Sequence, residues 1–89
     1  MPTAPESTDA LEDLLAFLAR SLVDDPDAVT VESFEEDDGT IVLELQVAVG
    51  DTGKVIGRGG RTVSALRTVV KAASVKERKR VLIDVLDAD

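Results

Sequence analysis

An α+β domain in the order α-β-β-α-α-β, with helices packed on one face of a three-stranded sheet, is predicted by three observations. Leu11, Leu14, Leu15, Leu18 and Leu22 recur at helical spacing. Ile41, Leu43, Leu45, Val47 and Val49 alternate at strand spacing, and Val81, Ile83 and Val85 do so again near the end. Between these strands, glycines at 57, 59 and 60 interrupt a helical pattern that resumes at once.

Taken in order, residues 1–8 (Met-Pro-Thr-Ala-Pro-Glu-Ser-Thr) read as a disordered start, and residues 9–87 as a single domain. Asp9 with Glu12 three residues on makes a box-like N-terminus for a helix over 9–23. Asp24-Asp25-Pro26-Asp27 ends it, because proline cannot continue the hydrogen-bond ladder. Residues 28–35 alternate weakly around Val29 and Val31 and predict a first strand at an edge. The carboxylate-rich turn Glu35-Glu36-Asp37-Asp38-Gly39 joins it to residues 40–49 as an antiparallel hairpin.

After Gly50, Asp51 or Thr52 caps a short helix running to about Ile56. From Arg61 a longer helix follows, with Val63, Leu66, Val69, Val70 and Ala73 on one side. Arg61, Ser64, Arg67, Thr68 and Lys71 fall on the other. It frays near Lys76, and residues 80–86 form the last strand.

The chain has 89 residues, enough for one domain that buries roughly 60% of its unfolded surface. Having no cysteine and no histidine, it cannot build disulfides, thiolate or imidazole metal sites, or Cys/Ser–His nucleophiles. No metal or cofactor is expected. The acidic N-terminus lacks the apolar stretch of a signal peptide and no apolar run reaches membrane-spanning length, so a soluble cytoplasmic protein is the expectation.

The net charge of −8 argues at first against a nucleic-acid partner. Its distribution points the other way. Residues 1–52 carry 14 acidic residues against Arg20 alone. Residues 53–81 carry Lys54, Arg58, Arg61, Arg67, Lys71, Lys76, Arg78, Lys79 and Arg80 against Glu77 alone. Nearly all the positive charge therefore follows the glycine loop.

That loop, Val55-Ile56-Gly57-Arg58-Gly59-Gly60-Arg61, fits no nucleotide-binding fingerprint. A Walker loop needs Ser or Thr after Gly-Lys, where this chain has Val55; the dinucleotide motif G-x-G-x-x-G needs glycine where it has Thr62. A helical hairpin with glycine at a C-cap would account for an isolated G-x-x-G. Here the motif lies between two helices with arginine at its tip, the setting in which a G-x-x-G loop clamps about four backbone nucleotides of RNA.

Residues 53–74, Gly-Lys-Val-Ile-Gly-Arg-Gly-Gly-Arg-Thr-Val-Ser-Ala-Leu-Arg-Thr-Val-Val-Lys-Ala-Ala-Ser, resemble the core of a type II KH domain. More narrowly, residues 9–87 resemble the small bacterial single-KH RNA-binding proteins of the KhpA type. The Gly-Lys-Val-Ile-Gly start and the Arg-Thr-x-x-x-Leu-Arg-Thr continuation carry that narrower likeness. The acidic N-terminal half departs from what is expected of an RNA binder.

The resemblance implies that bases of a single RNA strand lie in a groove beside the two helices while the loop holds the sugar-phosphate backbone. Gly57 and Gly60 would permit close approach, and Arg58 with the loop amides, including Gly59, would meet phosphate, assisted by Lys54 and Arg61. Val55, Ile56, Val63 and Leu66 would supply an apolar floor, although Val63 and Leu66 read equally well as core. Ser64 and Arg67 complete the predicted surface. Lys76, Arg78, Lys79 and Arg80 border the groove or form a solvated loop.

With Phe17 and Phe34 as the only aromatics, both outside the basic segment, folds that stack bases on aromatic rings are disfavoured. The resulting expectation is a non-catalytic binder of short single-stranded RNA, acting in post-transcriptional regulation. Family resemblance adds a larger multidomain KH protein as partner, and homodimerisation is expected to raise a weak affinity through avidity. The alternative is an interaction or dimerisation module that has kept the fold with little RNA affinity. Catalysis ranks far behind, because pairs such as Asp24/Asp25 and Glu35/Glu36 lie in turns with no second ligand type.

Overall fold

The structure, a computed structural model, describes residues 8–74 and 80–88. Helix α1 covers Thr8–Arg20, strands β1 and β2 cover Thr30–Glu35 and Ile41–Ala48, helix α2 covers Thr52–Ile56, helix α3 covers Arg61–Ala73, and strand β3 covers Val81–Ala88. Short 3-10 turns at Pro26–Ala28 and Arg58–Gly60 complete the path. The expectations for residues 1–7, and for Lys76, Arg78 and Lys79, lie outside the described residues.

Strand β2 is central, in the order β1-β2-β3. It pairs antiparallel with β1, from Thr30 opposite Gln46 to Glu35 opposite Ile41, as the hairpin required. With β3 it pairs parallel, from Ile41 opposite Val81 to Ala48 opposite Ala88. A parallel pair cannot be closed by a tight turn. The chain must return to the start of the sheet, and α2, the glycine loop and α3 make that return.

The core follows from the strand period. Ile41, Leu43, Leu45 and Val47 of β2 are buried, and Val81 and Ile83 of β3 continue the layer. Leu11, Leu15 and Ala19 of α1, four residues apart, cover it with Val55 of α2 and Leu66 and Val70 of α3. The helices thus occupy one face of the sheet. No helix among the described residues is long and apolar enough to cross a membrane.

Several boundaries differ from expectation for local reasons. Helix α1 ends at Arg20 rather than 23: the amides of Ser21 and Leu22 donate to Leu18 and Ala19 at 3.2 and 3.0 Å, and the Ser21 hydroxyl bonds the Phe17 carbonyl at 3.0 Å. Glu12, expected to box the helix start, has its carboxylate accepting from the Ser33 hydroxyl of β1. Strand β1 begins at Thr30, since Pro26–Ala28 coil into a turn closed by Val29 N–H on the Pro26 carbonyl at 3.2 Å. Val49, expected inward, lies past the end of β2 and is exposed. Strand β3 runs on to Ala88. On α3 the buried stripe is Val63, Leu66 and Val70, leaving Val69 and Ala73 exposed.

Leu43→Ala, at the sheet centre, is expected to lower unfolding free energy by about 2–5 kcal/mol, while Phe17→Ala, 67% exposed, should change it by less than about 0.5 kcal/mol. Urea denaturation of both variants checks the contrast.

Candidate nucleic-acid interface

The loop is held from both ends. Asp51 immediately precedes α2, but its side chain makes no cap with the helix amides. It is buried instead, with Oδ2 accepting the Asp25 amide at 3.1 Å, which ties the start of α2 to the connection after α1. Thr52 donates its hydroxyl to Asp87 Oδ1 near the end of β3. Both candidate caps are therefore tertiary anchors. The signal available in the sequence, an aspartate after Gly50, points to a cap with equal force.

Helix α2 closes with the Gly57 amide on the Gly53 carbonyl at 2.9 Å. The chain then reverses at Gly57, with φ +76° and ψ 170°, a region essentially confined to glycine. Gly59 (φ +66°) and Gly60 (φ +77°) are left-handed. The Gly60 amide bonds the Gly57 carbonyl at 3.1 Å, and the Arg61 amide bonds the Arg58 carbonyl. The N–H groups of Arg58 and Gly59, at the head of this turn, have no partner among the described residues.

The three glycines differ in what surrounds them. A Cβ on Gly57 would stand 2.2 Å from Thr62 Oγ1 and 2.9 Å from the Thr62 backbone nitrogen. One on Gly59 or Gly60 would meet nothing within 4 Å. The loop thus rests against the first turn of α3, and its tip is open.

Of the residues expected to bind, Arg58, Arg61, Ser64 and Arg67 are exposed on the loop and on one face of α3, together with Thr68 and Lys71. Ile56 is partly exposed. Lys54 is not free: its ammonium sits 3.3 Å from Asp24 and 3.6 Å from Asp51. The hydrogen bond to Asp24, then the charges of Asp24 and Asp51, hold its pKa above the ordinary lysine value. The apolar floor needs correction. Val55 is 0% exposed within the core, Leu66 belongs to the same cluster, and Val63 is buried. A five-residue helix pinned at its start must turn one side inward, and Val55 is on that side. Of the four floor residues, Ile56 is the one with substantial exposure, at 38%.

A second surface, not anticipated from the sequence, lies between α1 and α3. Leu18, Ser21, Leu22, Thr62, Ala65, Leu66 and Val69 line an apolar groove of about 270 Å³. Leu18 and Leu22 looked like core, and only the antiparallel or parallel lie of two helices decides which leucines a neighbour covers. Among the described residues no group of three or more acidic side chains is placed to hold a metal ion.

Comparison with known proteins gives a consistent result. The family model described as KhpA/KhpB, KH domain, matches residues 12–85. A protein of Clostridium acetobutylicum named RNA-binding protein KhpA is 50% identical over 76 residues, 85% of this chain and 100% of that one. Its namesake in Bacillus subtilis is 48% identical over 77 residues, 86% of this chain and 94% of that one. Among solved structures, the crystal structure of Era in complex with MgGDPNP and nucleotides 1506–1542 of 16S ribosomal RNA matches with a TM-score of 0.59 at 16% identity. That match covers 98% of this chain and 35% of the Era chain, and it speaks to the fold.

The environments of the glycines yield an ordering. Gly57→Ala combines a glycine-only conformation with a backbone clash and is expected to cost more than about 3 kcal/mol, whereas Gly59→Ala should cost about 1–2 kcal/mol from left-handed strain alone. Thermal and urea unfolding of the two variants test the ordering; equal costs would contradict the packing of Gly57 on Thr62.

Proposed function

The chain belongs to the KhpA/KhpB KH-domain family, and from that premise we propose that it binds short single-stranded RNA at the loop Gly57–Gly60, without catalysis. The observation that carries this reading is the tip of the loop. Arg58 and Gly59 present two N–H groups that have no partner among the described residues, beside an exposed guanidinium. Arg61, Ser64 and Arg67 continue that polar surface along α3. Backbone amides and arginines together suit phosphate oxygens, which carry charge and accept hydrogen bonds but hold no sequence information. The names of the relatives, RNA-binding proteins throughout, support the same reading.

In this reading residues 9–87 act as one domain in the cytoplasm, in post-transcriptional regulation. Lys54 contributes mainly to structure, through Asp24 and Asp51. Ile56 and backbone atoms, rather than Val55, meet the bases. A clamp of about four nucleotides makes few contacts, so a second RNA-binding surface raises the useful affinity through avidity. Two sources fit: a second copy of this chain and a larger multidomain KH protein. The groove between α1 and α3 favours such pairing, because Leu22 and Val69 in its lining are apolar and exposed to water. A module that only pairs, with little RNA affinity, is the second reading, and it rests on this groove.

Fluorescence anisotropy with labelled single-stranded RNA oligomers tests the proposal. Arg58→Asp combined with Gly59→Asp should weaken binding at least about tenfold and lower the salt dependence by about 0.7 per lost phosphate contact. Unchanged binding by the folded variant would overturn the loop assignment. Lys54→Gln should weaken binding less than Arg61→Gln does; the reverse order would return Lys54 to the RNA surface. Sedimentation of Val69→Asp against the parent reports whether the α1–α3 groove pairs copies.

A further inference from the structure

The face of the sheet turned away from the helices carries a pattern that the fold does not use. The strand registers place its side chains in rows across β1, β2 and β3. Glu32, Glu44 and Asp84 form one row. Phe34, Val42 and Leu82 form the next, and Thr30, Gln46 and Leu86 lie on the other side of the acidic one. Strands lie about 4.8 Å apart, so three carboxylates stand side by side across about 10 Å. Like charges directly opposite one another destabilise a sheet. None of the three has an ion-pair partner among the described residues. The flanking apolar side chains are equally unserved: Phe34, Leu82 and Leu86 are 49, 43 and 38% exposed.

We infer that this open face is a docking surface for a basic amphipathic segment of a partner protein, one that sets apolar side chains on Phe34, Val42 and Leu82 and lysines or arginines on the carboxylate row. Two packed layers make a domain, and among the described residues the apolar side chains on this face have no layer over them, which leaves area for a third. Charge selects what that layer is. RNA and anionic membrane surfaces are repelled by the row. A second copy meeting the chain at this same face would set its own row of Glu32, Glu44 and Asp84 against this one. A basic protein segment is attracted at long range and matched at contact. The inference stands on the sheet face alone and does not depend on the RNA reading. The loop lies on the helical side, so both faces are open to simultaneous use.

The test uses the full chain labelled with 15N and three synthetic peptide probes: a helical leucine–lysine amphipathic peptide, its leucine–glutamate counterpart, and an oligolysine of equal positive charge. The leucine–lysine peptide is expected to shift amide resonances of residues 30–34, 42–46 and 82–86. It should bind at least about tenfold more tightly than oligolysine, a difference of about 1.4 kcal/mol, and the leucine–glutamate peptide should not bind. Phe34→Ser with Leu82→Ser should bring the two basic peptides to within about twofold of each other, a gap of at most about 0.4 kcal/mol. Glu32→Gln with Glu44→Gln and Asp84→Asn should weaken both while folding at least as well as the parent, since it removes repulsion. Shifts centred on α1 or on the groove beside α3 would overturn the inference, as would equal binding of oligolysine. Concentration-dependent shifts at the sheet face without peptide would assign that face to a second copy instead.

Discussion

The parallel pairing of β2 with β3 is the constraint from which the rest of the structure follows. β2 supplies Ile41, Leu43, Leu45 and Val47 to the core, and β3 extends that layer with Val81 and Ile83 while running in the same direction. A parallel neighbour forces the chain back across the sheet. The return has to leave the end of β2, cross the covered face and arrive at the start of β3. α2 and α3 provide the length and bury Val55, Leu66 and Val70 on the way. The loop between them has an exposed tip at Arg58 and Gly59. Its exposure is a consequence of the topology, and the glycines make the reversal there sterically possible.

Charge is divided between the two sides of this arrangement. The crossover carries exposed cations at Arg58, Arg61, Arg67 and Lys71, whereas the hairpin and the open sheet face carry carboxylates. The exception proves structural. Lys54, within the basic segment, is drawn to Asp24 and to Asp51, whose carboxylate also receives the Asp25 amide. One buried aspartate thereby joins the first connection of the chain to the beginning of the crossover.

Period-based reasoning recovered the order of elements, the hairpin and the glycine loop, because alternation in 41–47 and helical spacing in 11–19 are set by local geometry. What it missed depends on neighbours. Val55 and Ile56 are adjacent aliphatic residues, and nothing in their identity says that one is core and the other surface. Val69 fits the apolar side of α3 by spacing, yet it is exposed in the α1–α3 groove. Asp51 has the chemistry of a cap and is used for a long-range tether. The three-carboxylate row is invisible in sequence because Glu32, Glu44 and Asp84 meet only through register. For the loop, arginine and glycine were legible as a phosphate-compatible pair, while the loss of the valine floor required knowing which way a five-residue helix is pinned.

The packing of Gly57 on Thr62 divides the motif into a hinge that cannot vary and a tip that can. Position 57 has no space for a side chain, whereas positions 58 and 59 point into open solvent. The reversal is therefore a rigid mount for one interchangeable side chain at position 58, with Gly59 kept by its left-handed backbone. Sequence drift at position 58 would retune charge and reach while leaving the crossover undisturbed, and a designer could exchange that one exposed residue alone. Such a separation lets one fold serve ligands of different strength, with the selection of affinity uncoupled from the selection of stability.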